Sequence, residues 1–335
     1  MHQPTQPPLN RAAGDGFPIP ELAPPPQAHA VTRVEAASTL PTVRFFGVPF
    51  MKGLAREVTA IHLCPAMVHL ATILDGSELA VSNRLTLRPL DLGGLTRARS
   101  IAFRPRPEGS EAIELAIIPP AGKTIARHDL QAGRAMPGLP LEAATAIRYS
   151  GDGRFVAAGN EAGRVRAWLL GPEGPTLVLE DLFAAEVRSL AFHPEHPTLY
   201  ATLATGALVE TQLAPSPAAS VVAALQERAP GARMLQAATG RSGYALYLAG
   251  QDDRVYVVDT ATGEIGVFSP KVGPILDLKV LPASGHLCVQ GRHSVYLVHA
   301  VGTSPEEHLA LVCTFEEPIY AAWELDPDVV LVFRA

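Results

Sequence analysis

The sequence predicts an all-β chain built from seven copies of one small sheet, and three observations carry that prediction. A five-residue pattern (polar or long residue, small residue, aliphatic, variable, apolar) returns seven times along the chain. Its central residues fall at 61, 101, 147, 190, 235, 278 and 322, in steps of 40, 46, 43, 45, 43 and 44 residues. That period fits one four-stranded propeller blade, whereas leucine-rich and ankyrin arrays have shorter ones. Finally, 28 Gly and 31 Pro are spread through the 335 residues. Both residues break helix interiors, which sets aside helical arrays of similar period. The expected architecture is a seven-bladed β-propeller of four-stranded blades over residues 31–335, preceded by a tail over residues 1–30.

Taken in order, the tail comes first. Residues 1–30 carry eight prolines, among them Pro24-Pro25-Pro26, without apolar periodicity. Consecutive prolines favour an extended, hydrated backbone that joins no core. Pro4-Thr5-Gln6-Pro7 has the form of a P-x-x-P docking ligand, a pattern common by chance. Two short strand candidates follow, Thr32 to Ala36 and Thr42 to Val48.

The clearest copies of the pattern are Thr59-Ala60-Ile61-His62-Leu63, Arg99-Ser100-Ile101-Ala102-Phe103, Thr145-Ala146-Ile147-Arg148-Tyr149 and Arg188-Ser189-Leu190-Ala191-Phe192. Weaker copies are Arg233-Met234-Leu235-Gln236-Ala237, Leu276-Asp277-Leu278-Lys279-Val280 and Tyr320-Ala321-Ala322-Trp323-Glu324. The third copy shows the grammar of a whole unit. A strand from Ala144 to Tyr149 is followed by the turn Ser150-Gly151-Asp152-Gly153 and the small-residue strand Phe155 to Gly159. A turn through Glu161-Ala162-Gly163 then leads to the alternating strand Val165 to Trp168.

The seventh copy has room for two strands, Ile319 to Leu325 and Val329 to Arg334. A blade left short exposes unpaired hydrogen-bonding edges. Thr32 to Ala36 and Thr42 to Val48 are therefore expected to complete the last blade and close the ring. The alternative is a single donated strand, Thr42 to Val48, and a three-stranded last blade.

The order of strand, polar Gly-containing turn, small-residue strand, turn and strand ending at Trp168 resembles WD40 repeats. Arg254-Val255-Tyr256-Val257-Val258-Asp259, followed by Thr260-Ala261-Thr262-Gly263-Glu264, is similar to the repeat endings of WD40-like and quinoprotein-like propellers, and His128-Asp129-Leu130-Gln131-Ala132-Gly133 echoes it. The resemblance covers residues 40–335. It departs from the family at the Gly-His opening, which is missing, and at the Trp position, filled only by Trp168. What it implies is the architecture and a role in protein binding. A quinone-dependent dehydrogenase of that group would carry a Trp-bearing motif in nearly every blade, and this chain has two Trp, Trp168 and Trp323.

Composition narrows the function. A net charge of −6 offers no basic face for nucleic acid. No apolar run approaches the eighteen residues of a spanning helix, and Met1-His2-Gln3-Pro4 opens no secretory signal. The three cysteines, Cys64, Cys288 and Cys313, lie far apart in apolar runs and read as buried free thiols of a reducing, cytoplasmic compartment. The Ala, Arg and Pro bias points to a GC-rich, bacterial genome. His193-Pro194-Glu195-His196 has ligand-like spacing but occupies a first turn, where Pro and polar residues belong. His286, His293 and His299 share no face that holds a metal. Neither a Gly-x-Ser-x-Gly elbow nor a phosphate-binding Gly-x-x-x-x-Gly-Lys loop occurs. Asp277 is the one carboxylate well inside an innermost strand. No catalytic residue, metal or cofactor is assigned.

Recognition remains. The first residues of the seven copies are Thr59, Arg99, Thr145, Arg188, Arg233, Leu276 and Tyr320, placed at the channel mouth. Arg99, Arg188 and Arg233, with Arg56 and Arg97 nearby, form a candidate basic rim, and Leu276 and Tyr320 its apolar side. Arginine grips carboxylates in a fork and is enriched at binding hot spots; solvated strand-start arginines are the plain alternative. The function expected is a monomeric, non-enzymatic cytoplasmic scaffold that binds an acidic or amphipathic protein segment, with neither nucleic acid nor membrane as partner. The competing expectation is a hydrolase or lyase with its site in the central channel.

Overall fold

The computed structural model describes residues 32–33, 44–49, 58–66, 68–83, 88–105, 112–213, 219–224, 234–240, 243–260, 264–281, 285–299, 309–316, 318–326 and 329–334. The tail over residues 1–30 and Arg233 lie outside them. Among the described residues the chain is all-β, without a helix, and therefore without one long and apolar enough to cross a membrane.

Two strands come first, β1 (Thr32–Arg33) and β2 (Arg44–Pro49). The rest follow in hairpin order. The first sheet holds β3 (Val58–Leu63), β4 (His69–Leu74) and β5 (Glu78–Asn83). The second holds β6 (Ser100–Phe103), β7 (Glu114–Ile118), β8 (Thr124–Asp129) and β9 (Arg134–Pro140). The third holds β10 (Ala144–Tyr149), β11 (Phe155–Asn160), β12 (Arg164–Gly171) and β13 (Gly174–Leu182). The fourth holds β14 (Val187–Phe192), β15 (Thr198–Leu203), β16 (Ala207–Gln212) and β17 (Ala219–Ala224). The fifth holds β18 (Met234–Gly240), β19 (Gly243–Ala249), β20 (Val255–Asp259) and β21 (Ile265–Phe268). The sixth is built on β22 (Asp277–Val280), β23 (Leu287–Gln290), β24 (Ser294–His299) and β25 (Leu309–Thr314). The seventh begins with β26 (Ile319–Asp326) and β27 (Val329–Arg334). All seven central residues of the repeated pattern therefore fall on the first strand of a sheet.

Local chemistry explains the turns. After β10, Ser150 Oγ donates to Asp152 Oδ1 at 2.6 Å and accepts the Phe155 N–H at 2.9 Å, while Asp152 Oδ1 accepts the Arg154 N–H at 2.9 Å. Gly153 sits at φ +68, where a side chain is disfavoured. Between β11 and β12, Gly163 sits at φ +84, and a Cβ there would fall 2.2 Å from the Phe183 carbonyl oxygen. Asn160 binds this turn to its neighbourhood, donating from Nδ2 to the Glu142 carbonyl and accepting the Arg164 N–H.

The first and last sheets depart from the four-stranded plan. Beside β5, residues 88–98 run antiparallel through backbone bonds from Asn83 N–H to Arg88, Leu90 N–H to Val81, Leu79 N–H to Thr96 and Ala98 N–H to Ser77, an irregular fourth segment. At the other end the expectation of two N-terminal strands completing the last sheet is corrected. Only β2 joins β27, running parallel to it from Arg44↔Val329 to Pro49↔Arg334. In the other candidate, β1 pairs instead with β25 as a fifth strand of the sixth sheet, Thr32 facing Val312; residues 34–36 lie outside the described residues. Because Ile319 faces Arg334 and Pro49 lies beside Arg334, the parallel β2 ends at the edge of its sheet where β26 begins.

The apolar faces pack sheet on sheet. The third sheet shows why alternate residues are apolar on both faces: Ile147, Val156, Ala158 and Trp168 pack toward the second sheet's Ala102, Ile118, Ile125 and Leu139. Ala146, Ala157, Val165, Ala167 and Leu179 pack toward Val187, Leu190 and Leu199 of the fourth. Each fully buried large aliphatic side chain contributes about 1.5–3 kcal/mol. Comparable clusters join the first sheet to the second, the fourth to the fifth, the fifth to the sixth and the sixth to the seventh. One more, containing Ile61, Leu63, Leu70 and Ala321, joins the seventh to the first. The first strands touch in the same succession: β3 with β6, β6 with β10, β10 with β14, β14 with β18, and β18 with β22. Strand β26 touches both β23 and β3.

Candidate functional site

The rim residues stand where the first strands start. Arg99 precedes β6 and Leu276 precedes β22, while Arg188 and Tyr320 are the second residues of β14 and β26. Neither arginine stands alone. Arg99 pairs with Glu161 on the turn between β11 and β12, and Arg188 Nη2 lies 3.1 Å from Glu186 Oε2. All four side chains are well exposed or half-exposed, and such pairs are worth about 0–1 kcal/mol. Thr145 is drawn inward, its Oγ1 donating to the Val187 carbonyl at 2.7 Å and so tying the third sheet to the fourth. Leu276 is 50% exposed, one of few large apolar side chains so placed among the described residues. Its N–H donates to the Gln290 carbonyl at 2.8 Å, and Gln290 Nε2 donates to the Ile319 carbonyl at 3.3 Å. This short relay links the backbone ahead of β22 to the start of β26.

A second constellation lies among the first strands themselves. His62 on β3, Arg148 on β10, Lys279 on β22 and Trp323 on β26 all occupy the fourth position of the repeated pattern. Asp277, two residues before Lys279, lies on the same side of β22. Lys279 Nζ is 2.8 Å from Asp277 Oδ2 and 4.5 Å from the centre of the Trp323 ring. Arg148 is exposed and His62 half-buried. Burial lowers the Arg148 pKa, with Asp277 opposing it. Burial also lowers the His62 pKa to about 4, Lys279 and Arg148 adding to the effect and Asp277 resisting it. Burial alone would raise the Asp277 carboxyl, but Lys279, His62 and Arg148 together hold it below its usual value. Charges on three sheets therefore sense one another. Among the described residues, Arg148 has no hydrogen-bond or ion-pair partner. The sequence reading singles out Asp277 and passes over His62, Arg148 and Lys279; the signal that finds them is the pattern's variable fourth position.

Other polar groups are committed to structure. Buried Glu114 accepts from Arg127 Nε at 2.5 Å, Tyr149 Oη at 2.7 Å and Arg104 Nη1 at 3.1 Å. Burial works against the Arg127 charge, but the Glu114 carboxylate outweighs it and the pKa rises. At the turn after β14, His193 Nδ1 accepts the N–H groups of Glu195 and His196, and the two imidazoles stack 4.5 Å apart. The pair shapes a turn. The three cysteines are free and buried, and burial pushes the Cys288 thiol up to about 12 and that of Cys313 to about 11. No group of three His, Cys, Asp or Glu able to hold a metal occurs among the described residues. No protein-family model matches the chain, and no curated protein matches its sequence.

Proposed function

We propose that the seven sheets are blades of one closed, WD40-like β-propeller, and that it acts in the cytoplasm as a platform for a segment of a partner protein. What supports closure is the succession of contacts between sheets, which returns from the seventh to the first through Ile61, Leu63, Leu70 and Ala321. Deleting residues 31–50 tests it. The variant should melt well below wild type, because β27 loses its parallel neighbour and β25 its fifth strand. An unchanged melting temperature would refute closure.

The platform rests on one observation: Leu276 is half-exposed at the start of its sheet, while Arg99 and Arg188 flank other strand starts in exposed, easily exchanged ion pairs. A partner carboxylate can displace Glu161 or Glu186 at small cost, and an apolar side chain can cover Leu276. The test is purification from the native cell, comparing wild type with an Arg99→Glu, Arg188→Glu variant and with Leu276→Asp. A stoichiometric partner retained by wild type and lost by both folded variants supports the rim. A partner that survives both removes it.

The charged interior keeps a second reading in view, a hydrolase or lyase working in the channel. His62 is neutral at pH 7, but with its pKa lowered to about 4 it is a weak proton acceptor. Asp277 is already engaged by Lys279 and by the Leu278 N–H, which leaves it poorly placed as a base. Turnover of model esters that disappears in His62→Gln would favour this reading over the platform.

A further inference from the structure

We propose that the cleft between the second and third sheets seats an extended partner segment in which a single acidic side chain stands beside apolar ones. The inference rests on the platform reading above; it names the kind of segment bound and gives it a seat apart from Arg188 and Leu276.

The cleft measures about 610 Å³, room for several side chains of such a segment. Lys123 ahead of β8, Glu142 between β9 and β10, Glu161 between β11 and β12, and Arg164 and Arg166 on β12 all line it. Backbone bonds stitch its walls together. The Leu141 N–H donates to the Lys123 carbonyl at 3.1 Å, the Ala143 N–H to that of Gly122 at 3.4 Å, and the Glu161 N–H to that of Ala143 at 3.2 Å. Asn160, buried at 6% exposure, donates from Nδ2 to the Glu142 carbonyl at 2.9 Å. These bonds hold Ala143 at φ +51, a left-handed conformation that residues other than glycine rarely adopt. The walls are set before any partner arrives, which lowers the ordering cost of binding.

Charge in the cleft is unevenly answered. Arg164 and Arg166 both donate to Oε1 of Glu180, so one carboxylate serves two guanidinium groups. Glu161 is taken by Arg99. The Lys123 ammonium and the Glu142 carboxylate have no hydrogen-bond or ion-pair partner among the described residues. The surplus is therefore positive, on a chain whose net charge is −6. A partner carboxylate finds forked guanidinium donors and a lysine here. Glu142 repels a second carboxylate set beside the first, which selects a segment with one acid over an acidic run.

Apolar surface continues from the cleft. Among the described residues, two of the four exposed large apolar side chains, Leu177 and Leu182, lie on β13, the outermost strand of the third sheet. Leu182 stands opposite Arg164 and Leu177 opposite Trp168, and residues directly opposite share a face. That face is the one toward the second sheet, since Arg166 Nη1 donates to the Pro140 carbonyl at 2.6 Å and Trp168 packs against second-sheet residues. Leu182 is 67% exposed beside a charged residue of the cleft. At the rise of a strand the two leucines are about 15 Å apart, a span for a chain segment and not for a small molecule.

The test uses the full chain and, as probe, a displayed library of short random peptides. Enriched peptides should carry one Asp or Glu beside Leu, Ile or Phe. Their affinity should fall about tenfold or more in Lys123→Glu and in Leu182→Asp, while Arg188→Glu on the rim binds them as wild type does. Both positions are exposed, and melting curves verify the fold. Should either variant fail to fold, Arg164→Gln leaves Arg166 on Glu180 and should weaken the same peptides. Enriched peptides that lack an acid, or that bind the folded Lys123 and Leu182 variants as tightly as wild type, overturn the inference. If those variants also keep the native-cell partner that wild type captures, the cleft falls and the platform stands. If wild type enriches no peptide and captures no partner, both fall.

Discussion

Two clusters of charge in this molecule use the same residue types to opposite ends. Between the second and third sheets, Glu114 is buried with Arg127, Arg104 and Tyr149 gathered on its two oxygens. Among the first strands, Arg148, Lys279, Asp277 and His62 influence one another's charge, and Arg148 has no hydrogen-bond or ion-pair partner among the described residues. The Glu114 group is closed on itself: Arg104 Nε also donates to the Gly153 carbonyl and Arg127 Nη1 to that of Pro137. Such a network links β7, β8 and the turn after β10, and leaves little for a ligand to satisfy. The second group is open, because the Arg148 guanidinium finds no acceptor in it.

The comparison is broken most directly at Glu114. Replacing Glu114 by Gln leaves two guanidinium groups without their counter-charge, one of them deeply buried, and should cost about 3–5 kcal/mol in urea or thermal unfolding. A loss below about 1 kcal/mol would mean the network carries no structural role. A smaller effect is expected from pH. His62 binds a proton in the unfolded chain near pH 6.5 but in the folded one only near pH 4. The unfolded state therefore holds more protons between these values, and stability falls as pH drops through that window. The slope contributed is at most about 1.4 kcal/mol per pH unit, set by burial together with Arg148, Lys279 and Asp277. His62→Gln should flatten that part of the stability–pH curve; an unchanged curve would place the titration elsewhere. The smallest effect is expected at Arg148 itself. Because it has no partner to strand, Arg148→Leu should alter stability by less than about 0.5 kcal/mol or raise it. A loss matching that of Glu114→Gln would show the two clusters to be alike.

Much of the fold was readable from the chain. The strands Ala144–Tyr149, Phe155–Asn160 and Arg164–Gly171 fall where alternation and the turn residues Gly153 and Gly163 place them. The candidate site was less so. Arg99, Arg188, Leu276 and Tyr320 were found from their position in the repeat, but their pairing with Glu161 and Glu186 was not foreseen. His62, Arg148 and Lys279 sit at a position where the repeat tolerates any residue, and in sequence that variability carries no sign of shared surroundings.

The sequence by itself determined where the first strand of each sheet lies and where the third sheet turns, because alternation, turn hydrogen bonds and glycine backbone freedom act over a few neighbouring residues. Tertiary structure alone decided that β2 joins β27 in the parallel sense while β1 goes to β25. It also decided that side chains as far apart as His62 and Asp277 come close enough to influence each other's charge. Both outcomes depend on which distant edges and faces are left unpaired once the local elements have formed, and no local pattern records that.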